Sequence, residues 1–354
     1  MIRAVLSNPS HPEYGVATIP FPIPHDQYAR CMELLEALEI GDAVKADCKV
    51  EKIDSFYTVL KRTEMLTVNV EELNYLAKRL DSFDTGEAAQ FQAMAHKLEL
   101  FELKDLINLT FCCQQATVIT DFSDISAVGR NHYMNLHGGS ARVDELEALD
   151  GVETARQLIE NGNGAVTPYD VVYDNGMKLE PVYDGRFFPG YYYEPNAITV
   201  AVTAKSEPED TEHITWLYLP VVQEEIDRAL QRAGITDPAD VRLRLEDSQL
   251  PNEVDVLLDM PLIPRLNNAS KSATAFCSYH DTINDKGNPF TSVPKASAKP
   301  VAIRMAEYTS LHCPTSKSLG RPATSPKSSL LNLYFPHASV NITQSFGTIL
   351  ANSV

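Results

Sequence analysis

The sequence predicts an α+β protein built from a series of small domains and closed by a basic tail. Three observations predict it. Apolar residues switch several times between the alternation of a half-buried strand and the three-to-four spacing of a helix. The order of elements over 1–55 returns over 197–260, and the composition breaks after Met260. The expected divisions are a β-β-α-β domain over 1–66, a helical bundle over 67–115, a mixed α/β domain with a hairpin over 116–196, a partial repeat of the first domain over 197–260, and a Ser/Pro-rich tail over 261–354.

The chain opens with an apolar run, Ile2 to Leu6, and Tyr14 to Phe21 reads as a second strand from its β-branched content and flanking prolines. From Asp26 the period changes. Tyr28, Cys31, Met32, Leu35 and Leu38 recur at helical spacing, with Asp26 as N-cap and Gly41 as stop. Glu33, Glu36 and Glu39 then fall on the other face as a row of carboxylates, about 4.5 Å of rise apart. Asp47 to Ile53 completes a β-β-α-β unit.

Asn69 to Leu109 reads as wholly helical. Leu73, Leu76, Ala77 and Leu80 form one apolar stripe, Ala88, Phe91, Met94 and Leu98 another, and Asp84 to Glu87 between them has capping-box spacing. Thr117 to Thr120 is a strand. Ser123 is the expected cap of a helix through Val128 and Leu136, which Gly138-Gly139 ends. A short helix follows over Val152 to Glu160. Asn175-Gly176 favours a two-residue hairpin turn, and the aromatic stretch Arg186 to Tyr193 reads as strand and core, the alternative being a surface on which bases stack.

Residues 197–260 repeat the opening order: strands at Ile198–Thr203 and Ile214–Leu219, Pro220 matching Pro24, a helix over Glu225–Ala233 stopped by Gly234, and a third strand at Val241–Glu246. Beyond Met260 the acids nearly vanish, Ser rises from 9 in the first 260 residues to 14 in the last 94, and no periodicity is sustained. That composition lacks the apolar patterning needed to offset ordering entropy, so the tail is expected to be disordered.

Charge follows the same division. Residues 1–260 hold 45 Asp+Glu against 21 Lys+Arg, a net of −24, and residues 261–354 hold 3 against 9, a net of +6, which together give the chain's −18. A body that acidic repels nucleic acid and is attracted to cationic clefts. Duplex DNA carries one charge per about 1.7 Å of axis, so 24 charges match roughly 40 Å of duplex. Plain solubility is the simpler reading of the same excess.

Few signatures of chemistry accompany the charge. The chain contains no G-x-G-x-x-G, no G-x-x-x-x-G-K-[ST], no H-E-x-x-H and no G-x-S-x-G. His137-Gly138-Gly139 reads as a helix stop, Cys112-Cys113 as small buried hydrophobes, and Glu207 to Glu212 as a solvated hairpin connection without the glycine of a calcium loop. Six scattered cysteines with no C-x-x-C pair fit a reducing cytoplasm. No apolar run approaches the length of a spanning helix, and the first residues lack the pattern of a signal peptide.

Phe21-Pro22-Ile23-Pro24 leading into an acidic helix that ends at Ile40-Gly41, and Val70-Glu71-Glu72-Leu73-Asn74-Tyr75-Leu76 opening a helical region, resemble the ArdA antirestriction proteins of conjugative elements. Leu80-Asp81-Ser82-Phe83, Asn108 through Cys113, and Asp121-Phe122-Ser123-Asp124 are similar to the longer ArdA-like proteins of gut-dwelling Firmicutes. The likeness covers about 1–195. It implies an elongated acidic protein of small α+β domains, usually a homodimer, that imitates bent B-form DNA in the groove of type I restriction-modification enzymes. No catalysis and no cofactor is implied. The chain departs from the family in its greater length and in carrying the basic tail where a second helical region is expected.

On this reading the charge is carried by solvent-facing helical carboxylates: Glu33, Glu36, Glu39, Glu71, Glu72, Asp81, Glu87, Glu99, Glu102, Asp144, Glu145 and Glu147. Neither direct binding to nucleic acid nor association with a membrane is expected. Two other readings remain open, an enzyme built on the neighbourhood of Cys112, Asp124 and His132, and an adaptor of the conjugation machinery.

Overall fold

The opening alternation becomes an antiparallel sheet. A computed structural model describes residues 1–191, 193 and 196–248. Within it β1 (Ile2–Ser7) and β2 (Val16–Phe21) lead to helix α1 (Tyr28–Glu36), then β3 (Cys48–Asp54) and the short β4 (Thr67–Val68), in the order β2-β1-β3-β4. Ile2, Ala4 and Leu6 of β1 are buried with Ala17, Ile19 and Phe21 of β2, so the strand period sets one face inward. Helix α1 buries Tyr28, Cys31 and Leu35, of which Leu35 alone is worth about 1.5–3 kcal/mol when removed from water. Asp26 does not cap it. Asp26 lies in a 3-10 turn, His25–Gln27, and the N-cap position falls to Gln27, whose side chain makes no cap bond.

Gly41 does not end α1 either. Glu39 does, with a left-handed φ of 55°, while the Ile40 amide reaches back to the Leu35 carbonyl at 3.1 Å. That bond closes the helix with a residue in the conformation glycine usually supplies.

Helices α2 (Val70–Asp81), α3 (Thr85–Lys97) and α4 (Leu103–Leu109) form where the helical period runs. Asn69 caps α2, its Oδ1 accepting from the Glu71 and Glu72 amides while its Nδ2 donates to the carbonyls of Asp42 and Lys45 at 2.9 Å. One buried amide thus starts the helix and pins the loop before β3. The capping box forms as expected: the Glu87 amide donates to Asp84 at 2.8 Å, and the Asp84 amide to Glu87 at 3.1 Å.

Next come β5 (Thr117–Ile119), α5 (Ile125–Leu136), α6 (Val143–Ala148), α7 (Gly151–Asn161), β6 (Ala165–Thr167) and β7 (Asp170–Tyr173), with a three-stranded antiparallel sheet in the order β5-β7-β6. The cap of α5 is Asp124 rather than Ser123, its carboxylate accepting from the Ala127 amide at 2.9 Å. Gly138 and Gly139 follow α5 with φ of 76° and 87° as the stop. Asn175-Gly176 does make a left-handed turn, yet no strand follows it. The hairpin is instead β6–β7, closed around Thr167 to Asp170. Asn175 has a different task, donating to the Gln115 carbonyl at 2.7 Å and to Thr117 Oγ1 at 2.9 Å.

Among the described residues, 183–191 and 193 are not a strand. Residues 183–191 and Tyr193 form an irregular aromatic strap against α2. Asn108 clasps its beginning, accepting from the Tyr183 amide at 2.7 Å and donating to the Tyr183 carbonyl at 3.2 Å. Phe188 stacks between Tyr75 and Tyr183 with ring centroids 4.5 and 5.0 Å apart. The Arg79 guanidinium lies 4.4 Å from the Phe111 ring and 4.5 Å from that of Tyr191. Aromatic bodies with polar rims suit a half-buried strap of this kind, because each hydroxyl finds a partner at the edge.

The second use of the opening unit is present: β8 (Ile198–Ala204), β9 (Thr215–Leu219), α8 (Gln223–Arg232) and β10 (Val241–Ser248), in the order β10-β8-β9. Both units place their first strand centrally, and both third strands carry a register shift. Strand pairing equates Ile2 with Ile198 and Phe21 with Leu219, so Pro220 corresponds to Pro22 and not to Pro24; both prolines follow a cis bond. The hydrophobic cluster of this unit gathers Ile198, Val200, Val202, Leu217, Leu219, Ile226 and Ile235. Gly234 ends α8 with φ 75°, and the Ile235 amide returns to Leu230 at 2.9 Å. Glu39 therefore holds the position that Gly234 holds in the repeat.

The chain divides into two compact units, Met1–Tyr193 and the part from Glu194 on. The segments expected as separate domains at 1–66, 67–115 and 116–196 fall within the first, up to Tyr193. The end of the 197–260 segment beyond Ser248 and the whole 261–354 tail lie outside the described residues. No helix among the described residues is long and apolar enough to cross a membrane.

Candidate functional site

The twelve carboxylates divide by what the fold does with them. Glu33 and Glu36 lie exposed on the outer side of α1, with Glu39 exposed just past its end. Glu99 is exposed after α3, Glu102 at the N-cap position of α4 and Glu147 on α6. Among the described residues these six have no cationic or hydrogen-bonding partner. Asp144 is exposed but forms a two-bond pair with Arg142, at 3.0 Å for each bond, and Glu145 accepts from the Arg142 amide at 3.2 Å.

The other four are tied into the structure. Glu71 and Glu72 are half-buried in the first turn of α2, where a negative charge meets the positive end of the helix dipole. Glu71 accepts from the Tyr28 hydroxyl at 3.1 Å, and Glu72 from that of Tyr183 at 2.9 Å. Glu87 is half-buried in its capping box and also accepts from Gln114 at 3.3 Å. Asp81 is exposed, yet it accepts from the Tyr193 hydroxyl at 2.6 Å and lies 3.6 Å from the Met1 ammonium. The expectation of fully solvent-facing side chains is therefore corrected for Glu71, Glu72 and Glu87. That of helical positions is corrected for Glu39, three residues past the end of α1, for Glu99, two past the end of α3, and for Glu102, the N-cap residue just before α4.

Glu39 and Glu99 are placed against local preference. Each has φ 55°, a conformation that costs an L-residue about 1–2 kcal/mol, and each adds negative charge at the negative end of a helix. Glu39→Gly is expected to stabilise the first unit by about 1 kcal/mol, the gain in backbone freedom exceeding the entropy that glycine restores to the unfolded chain. Thermal or urea unfolding of the variant checks it, and a loss of stability would contradict the left-handed assignment.

The residues of the alternative enzymatic reading are each engaged separately. The Cys112 thiol is buried and faces the carbonyls of Asn108 and Leu109 at 3.8 Å, and burial raises its pKa. A thiol held neutral is a poor nucleophile. Asp124 is the exposed cap of α5, and His132 lies about 12 Å of helical rise further along the same helix. Among the described residues no three His, Cys, Asp or Glu side chains gather as metal ligands would.

His132 belongs to a polar knot that the sequence did not reveal. Thr117 Oγ1 receives Asn175 Nδ2 at 2.9 Å and Asn135 Nδ2 at 3.3 Å, so its own proton points to His132 Nδ1 at 2.9 Å. That arrangement needs a neutral imidazole, and burial lowers the His132 pKa in agreement. A depressed histidine pKa favours the fold above the unfolded value, near 6.5, and the contribution is lost as pH falls below it toward the folded pKa. Unfolding followed from about pH 7 to 5 should accordingly show a steeper loss of stability for the parent than for His132→Gln. Equal slopes would remove His132 from the pH response.

Among the described residues the rings of the aromatic strap are engaged in packing and leave no face on which bases would stack. Its rings pack on α2 and on one another, and the hydroxyls of Tyr75 and Tyr191 donate to the carbonyls of Pro189 and Lys78. The acidic run Glu207 to Glu212 is the β8–β9 connection, braced by Arg242, which donates to the carbonyls of Lys205, Glu207 and Pro208.

The models of known protein families do not match this chain, and neither do the curated proteins.

Proposed function

We propose that this chain is an antirestriction protein, an acidic mimic of DNA that occupies the DNA-binding groove of a type I restriction-modification enzyme. The observation that carries the reading is the charge that cannot be neutralised internally. Even if every Lys and Arg of residues 1–260 paired with a carboxylate, 24 carboxylates would remain. The exposed and unpaired Glu33, Glu36, Glu39, Glu99, Glu102 and Glu147 are the members of that excess best placed to meet a cationic groove. Competition with DNA requires only surface charge at suitable spacing, so the reading assigns no catalytic residue and no cofactor.

The test is the plating of unmodified phage on a restricting host with and without the protein. Expression should raise plating toward the level of a host that lacks restriction. Glu36→Gln alone should change little, because one exposed charge contributes a fraction of a kcal/mol. Glu33→Gln, Glu36→Gln and Glu39→Gln together should reduce the rescue. No rescue by the parent protein defeats the reading, and complete loss from one substitution would point instead to an anchoring or catalytic residue.

A further inference from the structure

The chain contains three Asn-Gly pairs, Asn161-Gly162, Asn163-Gly164 and Asn175-Gly176. Asparagine before glycine is chemically labile, because no side chain shields the following amide nitrogen from the asparagine amide carbon. The fold treats the three pairs differently. Asn161 is the last residue of α7, and the Gly162 amide is held by the Leu158 carbonyl at 2.8 Å. Asn175 has its side-chain amide bound to Gln115 and Thr117, and the Gly176 amide donates to Asp174 Oδ1 at 3.0 Å. Asn163 and Gly164 are both exposed, and among the described residues neither the Asn163 side chain nor the Gly164 amide has a hydrogen-bond partner.

A further interaction activates this one peptide group. Lys97 Nζ lies 3.4 Å from the Asn163 backbone carbonyl while paired with Asp174 at 2.7 Å. An ammonium on that carbonyl withdraws electrons from the peptide whose nitrogen must lose its proton. The glycine cannot be replaced to avoid the hazard, since a Cβ at position 164 would stand 2.7 Å from the Tyr173 ring.

We propose that Asn163 is a site of spontaneous covalent modification, deamidation through a succinimide, and that the fold protects Asn161 and Asn175 from the same reaction. The Gly164 nitrogen gives up its proton and attacks Cγ of Asn163. The N–Cγ bond forms, the Cγ–Nδ2 bond breaks, and ammonia leaves with the proton. Water then opens the succinimide at either carbonyl, leaving an α-linked or β-linked aspartyl residue at position 163 and one more carboxylate on the surface. The β-linked product inserts an extra backbone carbon between α7 and β6, where Gly162 and Gly164 both abut the Tyr173 ring.

The experiment is to incubate the purified full chain, folded, at mildly alkaline pH and body temperature, with a parallel sample unfolded in urea. Trypsin cutting after Arg156 and Lys178 releases all three pairs in one peptide, Gln157 to Lys178, so fragmentation places the gain in mass of an NH2-to-OH exchange on a residue. The folded sample is expected to convert Asn163 several-fold faster than Asn161 or Asn175, and the unfolded sample to bring the three rates together. Conversion of Asn163 no faster than the other two in the folded chain, or an unchanged ranking after unfolding, overturns the proposal. Neither outcome depends on the antirestriction reading.

Discussion

Affinity for a type I methyltransferase is expected to fall at least a hundredfold, roughly, between about 50 and 200 mM salt. A protein neutralising six to ten phosphates of duplex DNA loses about 10³–10⁵ over that range, because condensed counterions are released on binding and must be released against a higher salt concentration. Carboxylates on a folded surface are spaced more widely than phosphates, so fewer counterions condense on them and the slope should be gentler than for DNA. It should still be steep, since net −24 resides in residues 1–260 and the length over which exposed charges attract one another shrinks as salt rises through this range, passing about 10 Å at 100 mM. Titrating the purified enzyme with the full chain at several salt concentrations gives the slope. In the variant neutralised at Glu33, Glu36 and Glu39, every one of the three carboxylates that meets a cation of the groove should lower it, by less than the value of about one that a phosphate contact contributes. A flat salt response in the parent would sink the mimicry mechanism, whatever the affinity.

Gly129→Ala is expected to destabilise the first unit by about 3 kcal/mol or more, by forcing apart two packed helices. A Cβ at position 129 would stand 1.8 Å from the Gly151 carbonyl oxygen and 3.0 Å from the Ala155 nitrogen, and a Cβ at Gly151 would stand 2.4 Å from the Ser126 oxygen. All of these are backbone atoms, so no rotamer change can relieve the clash. Separating α5 from α7 would open the cluster of Ile119, Val128, Ala155, Leu158 and Tyr173. In a unit of this size the loss corresponds to a fall in Tm of roughly 10 °C. Gly138→Ala is the contrasting variant. Gly138 has φ 76° with nothing within 4 Å, so only the left-handed conformation is penalised, at about 1–2 kcal/mol. If Gly129→Ala unfolds no earlier than Gly138→Ala, the close crossing of α5 and α7 is wrong.

Local patterns were legible where the information lies within a few residues. The three strands and helix of the opening unit, the Asp84–Glu87 capping box, the Gly138-Gly139 stop and the repeated unit beginning at Ile198 were all readable from period and cap chemistry. Errors fell where two local signals compete. Asp124 and Ser123 are both good caps, and the Asp124 carboxylate reaches the Ala127 amide. Asn175-Gly176 turns the chain as expected, but a hairpin also needs a second strand with apolar alternation, and the strap after Met177 has none. Gly41 has the chemistry that usually stops a helix, whereas the fold ends α1 with Glu39 two residues earlier.

By itself the sequence determined how much charge this protein carries, in which part of the chain it resides, and that segments with a sustained period, such as Ile2–Leu6, Leu73–Leu80 and Ile198–Thr203, become strands or helices, because net charge is additive and periodicity is a property of near neighbours. Only the tertiary structure decided which carboxylates remain free. Glu72 and Glu36 look alike in sequence, each on an amphipathic helix beside other acids, yet Glu72 receives the hydroxyl of Tyr183, 111 residues away, while Glu36 faces solvent. Asp81 is likewise bound by Tyr193, 112 residues on. No window of local sequence contains both partners, and the pairing exists only once Asn108 has clasped the backbone of Tyr183 and laid the aromatic strap along α2.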